Sequence, residues 1–186
     1  MEFNETKAIN IGKEWMRKSL DPTHDYTHAN HVASNALNIY PEFLTVDENL
    51  VNLASWWHDS YKATQKGDSL FSIFFEGIMA AKIFEKEVGN LIEPKRRNRV
   101  YKAILFHNNP LIFIFFRKFV DPLALILYES DGLELYNEER KEISRSKNRG
   151  YMYRLFLQSI EFVLGKIIKI VATSKYTKNI VFKESI

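Results

Sequence analysis

Cysteine is absent from this chain. No disulfide can staple it and no thiolate can hold a metal, so a transition-metal site must be built from His, Asp, Glu or backbone oxygen. A marked charge of either sign is also missing. Lys and Arg number 26 against 23 Asp and Glu, a surplus of +3, too mild to imply a nucleic acid or a membrane surface as partner without local clustering. Charge or proline breaks every apolar run well before bilayer-spanning length, and the opening MEFNETKAIN lacks the cationic and then apolar plan of a secretory signal. The expected setting is therefore the cytoplasm, with no membrane partner. No repeat, Gly/Ser linker or low-complexity segment divides the chain.

What is present suits one domain over residues 1–186: apolar types make up 46% of the chain and aromatics 14%, enough for a large core. Most of the sequence reads at helical spacing, and the expected fold is an all-α, single-domain bundle of about six to eight helices. A first helix is expected from about Glu5 to Leu20, stopped by Asp21-Pro22. Capping residues at Thr23 to Asp25 precede a second, closed at Pro41, and Asp47 caps a third through VNLASWWHD, whose unbroken apolarity places it mid-bundle. After a turn at QKGD, SLFSIFFEGIMAAKIFEKEVG reads as a helix ending at Gly89. Pro94 opens a basic helix with Val100, Ile104 and His107 on one side. NNPLIFIFFRKFVDP is ambiguous between strand, loop and helix. Pro122 opens PLALILYESDGLELY; NEERKEISRSKNRG reads as a charged turn, 151–172 as a last long helix, and 173–186 as a polar tail.

The chemistry-bearing residues arrive in the order His28, His58-Asp59, Asp131. Imidazoles with carboxylates suit a divalent ion that makes water nucleophilic near neutral pH. The dipeptide His-Asp occurs twice, and context separates the copies. His58-Asp59 ends an apolar helical run and is presented inside the fold, where burying a carboxylate is costly unless a cation compensates. His24-Asp25 follows proline in a turn, where capping is the simpler account.

Asp25-Tyr26-Thr27-His28-Ala29-Asn30-His31-Val32, then Ala54-Ser55-Trp56-Trp57-His58-Asp59, then Ile126-Leu127-Tyr128-Glu129-Ser130-Asp131-Gly132-Leu133 resemble, in that order, the three motifs of the HD-domain superfamily of metal-dependent phosphohydrolases. The resemblance covers roughly residues 23–135, with His31 standing where arginine is common. It implies an HD-domain-like fold with one divalent ion (Mn, Mg, Fe, Co, Ni or Zn) held by His28, His58, Asp59 and Asp131. Relatives with two metals add histidines around the helix after His-Asp. SLFSIFFEGIMAA has none, so one ion is expected.

The expected function is hydrolysis of a phosphomonoester or phosphoanhydride of a nucleotide or other small phosphorylated compound. Asp59 would act in catalysis as well as ligation. Lys62, four residues after His58 and three after Asp59, is the expected phosphate contact, and His107 a phosphate binder or proton donor. One alternative is an HD-type nuclease or phosphodiesterase on single-stranded nucleic acid or a cyclic nucleotide; another is a non-catalytic metal-binding interaction module. Structural roles are the simpler reading elsewhere: hydrogen-bonded His24 and His31, a solvated face for Arg96, Arg97 and Arg99, an exposed turn from Arg140 to Arg149, and core for Trp56-Trp57 and Phe113 to Phe119. A homodimer contact or hydrophobic lid is the second reading of the phenylalanines.

Overall fold

The computed structural model describes residues 3–65, 72–146 and 151–183, all helix, turn or loop without a strand among them. Side-chain caps set where the main helices begin. Asn4, Asp25, Asp47 and Asp121 each accept a backbone N–H from the first turn of α1 (Glu5–Arg17), α2 (Tyr26–Ile39), α3 (Glu48–Trp57) and α7 (Pro122–Leu133). Glu93 does the same for α5 (Pro94–Phe106), whose first residue is a proline. The remaining helices are α4 (Ser72–Val88), α6 (Pro110–Phe115), α8 (Glu138–Ser146), α9 (Tyr151–Val171) and α10 (Lys175–Lys183).

Helices apolar on every side belong in the middle. In α3 every residue from Leu50 to Trp57 except Asn52 is buried, and the helix packs on α1, α2, α5 and α7. In α7 Leu123 to Ser130 are all buried, between α2, α3 and α5. As expected, Trp56 and Trp57 are core, and Val100, Ile104 and His107 share a buried face. The N-terminal end of α2 and the C-terminal ends of α3, α5 and α7 therefore meet at one end of the bundle, and the functional residues lie there.

Four expectations need correction. Helix α1 stops at Arg17, and Leu20 is exposed: its backbone N–H donates to Ala63 O at 2.9 Å, so the loop after α1 is tied to the turn after α3. The charged segment read as a turn contains α8, a nine-residue helix. The segment read as a polar tail contains α10, which buries Thr177 and Val181 and packs on α2, α7 and α9. Of the phenylalanine cluster only Phe113 is core, stacked on Tyr128 at 4.2 Å, while Phe115, Phe116 and Phe119 are exposed. The ambiguous segment around them is the short helix α6 followed by a single 3-10 turn. The expected turn at QKGD, apart from Gln65, and the end of the Arg140 to Arg149 run at 147–150 lie outside the described residues. No helix among those described is long and apolar enough to cross a membrane.

Candidate metal centre

His28 sits in the first turn of α2, His58 caps the C-terminus of α3 with Asp59 next to it, and Asp131 stands in the last turn of α7. Separate helices thus aim four donors at one point. The two Nε2 atoms of His28 and His58 are 3.2 Å apart. Asp59 Oδ2 is 3.0 Å from the first and 3.2 Å from the second, and Asp131 Oδ1 is 3.4 and 3.8 Å from them. Donors bound at about 2.1 Å to one ion stand roughly 3.0 to 3.4 Å from their neighbours in octahedral or tetrahedral geometry, so the set fits a small divalent cation. Adjacent residues of a regular helix diverge by about 100°. His58 and Asp59 converge because α3 ends at Trp57 and the backbone turns there.

The histidines are prepared as ligands. Nδ1–H of His58 donates to Ser55 O at 2.7 Å, which leaves Nε2 to face the carboxylates. His28 Nδ1 has Glu134 Oε2 at 3.7 Å. His28, His58, Asp59 and Glu134 are all buried. Burial opposes a charged His58, but the attraction of Asp59 outweighs it and raises the pKa to about 9. Burial pushes Asp131 upward, and the neighbouring His58 and His28 more than reverse it, holding the carboxyl at about 2. Asp59 is likewise held well below the usual carboxylate range, against its burial, chiefly by His58. Such a site keeps its acids ionised and wants a positive charge.

His107, at the C-terminal cap of α5, is buried and has the same arrangement as His58: Nδ1–H donates to Ile104 O at 2.6 Å, and Nε2 lies 3.8 Å from Asp59 Oδ1. It stands among would-be ligands, away from the cleft described below. Lys62 is committed differently from the expectation. Its ammonium is 2.9 Å from Glu76 Oε1 and donates to His24 Nε2 at 3.1 Å.

Five further residues belong to this region. Glu76 of α4 is buried; its burial raises the carboxyl to about 7, against the pull of Lys62 and with the repulsion of Asp59. Glu134 backs His28. Arg140 of α8 reaches over the centre, with Nη1 3.6 Å from Asp131 Oδ1 and Nη2 3.3 Å from His24 Nε2. Because His24 donates Nδ1–H to Asp21 at 2.9 Å, its Nε2 is free to accept from both cations. Burial first, then the positive Lys62, lowers its pKa to about 3 and keeps it neutral. His31 is half-exposed, with Asn137 Nδ2 3.1 Å from its Nδ1. A small cleft of about 20 Å³, lined by Thr27, His28, His31, Asn137 and Arg140 among others, opens beside the ligands.

The three arginines expected on a solvated face are engaged instead. Arg96 bridges Glu5 and Asp47, Arg99 pairs with Asp121, and Arg97 donates to Gly89 O. Compared with protein-family models, with curated proteins and with solved structures, the chain matches none.

Proposed function

We propose that this protein is a divalent-metal-dependent phosphohydrolase acting on a small phosphorylated compound. The observation that carries the reading is the convergence of His28, His58, Asp59 and Asp131 next to a cleft with a guanidinium at its mouth. The four ligands would hold the ion, which when bound supplies Lewis acidity toward a phosphoryl oxygen and lowers the pKa of water. The motif resemblance supports the same reading. Asp59, held ionised, orients the attacking water by accepting its hydrogen bond. Arg140 is the cation nearest the cleft and anchors the phosphate. Lys62, held by Glu76 and His24, contributes its field rather than a first contact. His31 and Asn137 shape the wall where the rest of the substrate lies.

The cleft, at about 20 Å³, is far below the roughly 300–1,000 Å³ of pockets for drug-sized ligands and has room for little more than a water, so the bulk of a substrate would lie outside it. A nucleic-acid strand would need an unpaired basic track, and the arginines of α5 are already matched by carboxylates and a carbonyl. The test is hydrolysis of phosphomonoesters, nucleoside mono- and triphosphates and phosphodiesters by protein loaded with Mn²⁺. We expect turnover that a chelator removes and that Asp59→Asn reduces by roughly 10³-fold or more. Metal-loaded protein that hydrolyses no phosphate ester would overturn the reading and leave a metal-binding module.

A further inference from the structure

The phenylalanines that escape the core are gathered on one face. Phe113 pins α6 by stacking on Tyr128, whereas Phe115, Phe116 and Phe119 are turned outward, Phe119 87% exposed. α9 packs beside α6. Its residues Phe162, Lys166 and Ile170 are spaced at i, i+4 and i+8 and so form one stripe, in which Phe162 and Ile170 are exposed apolar groups. The two elements border a groove of about 290 Å³, lined by Ile114, Phe115, Phe119 and Ile170 together with Arg117 and Lys118. Cations are thus woven into the apolar face: the Lys166 ammonium lies 4.4 Å from the centroid of the Phe162 ring, and Arg117 donates to Val171 O. Segments 110–120 and 162–171 carry Arg117, Lys118, Lys166 and Lys169 and not one Asp or Glu, more positive charge than the +3 of the whole chain. Folding creates the local clustering that overall composition lacks.

We propose that this face docks on a membrane surface carrying anionic lipids, with the protein lying on the bilayer rather than crossing it. The exposed phenylalanines and Ile170 reach the boundary of the acyl chains, while Arg117, Lys118 and Lys166 meet the phosphates and carboxylates of the headgroups. The backbone is ready for that environment: the N–H groups of Phe116 and Phe119 donate to Ile112 O and Phe116 O, both at 2.8 Å, so neither amide is stranded on entering the interface. Charge selects this occupant over a second copy of the chain, because a two-fold contact would press the cations of the face against their own counterparts. A nucleic-acid strand fits less well, since Leu111, Ile114 and Ile170 offer no ring on which a base can stack. The proposal departs from the sequence expectation of no membrane partner, which took account of net charge and span length but not of the folded surface. It does not depend on the chemistry of the metal centre.

The test is flotation of the purified full chain with vesicles of mixed phosphatidylcholine and phosphatidylserine, against vesicles of phosphatidylcholine alone. Binding is expected to the anionic vesicles, weakened roughly tenfold when NaCl is raised from about 0.05 to 0.5 M. Phe115→Ser and Phe119→Ser should each lower the affinity roughly tenfold, and Lys118→Ala and Lys166→Ala roughly fivefold each. All four side chains are exposed, so the variants should keep the circular dichroism and elution volume of the wild type, which separates loss of docking from misfolding. No binding to either vesicle, equal binding to both, or an affinity untouched by the phenylalanine substitutions would overturn the proposal. Sedimentation velocity and a labelled oligothymidylate address the other occupants. In a protein that ignores vesicles, a dimer or a bound strand that Phe119→Ser disrupts would overturn it in favour of a second copy or of nucleic acid.

Discussion

Two side chains turned toward the candidate metal centre, Arg140 and His24, govern its charge. Arg140 leans on Asp131 but is not one of the converging donors, so removing it should leave metal uptake intact while weakening the hold on an anion. Charge-assisted contacts of this kind are worth about 1.5–3 kcal/mol. Arg140→Ala is therefore expected to raise KM by roughly 10- to 100-fold, with unchanged Mn²⁺ content; an unaltered KM would exclude Arg140 from substrate binding. His24 sets the acid limit. Folding holds it neutral with a pKa of about 3 against an ordinary 6.5, so between these values the unfolded chain binds a proton that the folded chain does not. Its contribution is fully present above pH 6.5 and is lost as pH falls toward 3. In denaturant titrations His24→Asn, which keeps an N–H donor near Asp21, should show a shallower loss of stability than wild type over that window. Parallel profiles would refute the assignment.

At the level of elements, the C-terminal helix is held by acids from elsewhere in the fold. Glu129 of α7, fully buried, accepts from Thr173 N and Oγ1, both at 2.6 Å, and from Ser174 N and Oγ at 3.3 and 2.7 Å. Glu42 accepts from the backbone N–H groups of Lys175 and Tyr176. Both carboxylates complement the positive N-terminal end of α10. Because Glu129 is two residues from Asp131, this capping also steadies the end of α7 that carries a candidate metal ligand. Glu129→Leu strands four buried or half-buried donors and should cost about 3 kcal/mol or more. Amide exchange in α10 should rise before that of α3, which measures detachment of this helix rather than global loosening; uniform acceleration would argue against local capping. α10 could not be read from sequence, since KYTKNIVFK is short and its caps come from residues more than 40 positions away. α8 was equally hidden: in EERKEISRS Ile143 is the one apolar residue, so there is no stripe to recognise.

Across the whole molecule, an ion held at this point would tie together helices distant in sequence: α2 supplies His28, the end of α3 His58 and Asp59, and α7 Asp131. His58-Asp59 was legible because it ends a strongly apolar helix, where a buried acid is costly without a cation; His28 and Asp131 were legible only through the spaced motifs in which they stand. Glu76 was not, since a lone acid in IFFEGIMAA reads equally well as the exposed side of its helix, and burial depends on α5 packing against α4 closely enough that a Cβ on Gly77 would meet Leu105 O at 2.5 Å. Arg140 was hidden with α8. Convergence of this kind makes metal binding and folding one equilibrium, because the unfolded chain cannot assemble donors 103 residues apart, from His28 to Asp131. At a free ion concentration of 100 times Kd the folded state gains about 2.7 kcal/mol, and in a chain of this length each kcal/mol moves Tm by roughly 2–4 °C. Saturating Mn²⁺ should accordingly raise the Tm of chelator-stripped protein by about 5–10 °C, reversibly on adding chelator. His58→Asn should abolish most of that rise, since it removes an imidazole facing both Asp59 and Asp131. An equal shift in wild type and variant would mean that the ion stabilises the protein from somewhere other than this centre.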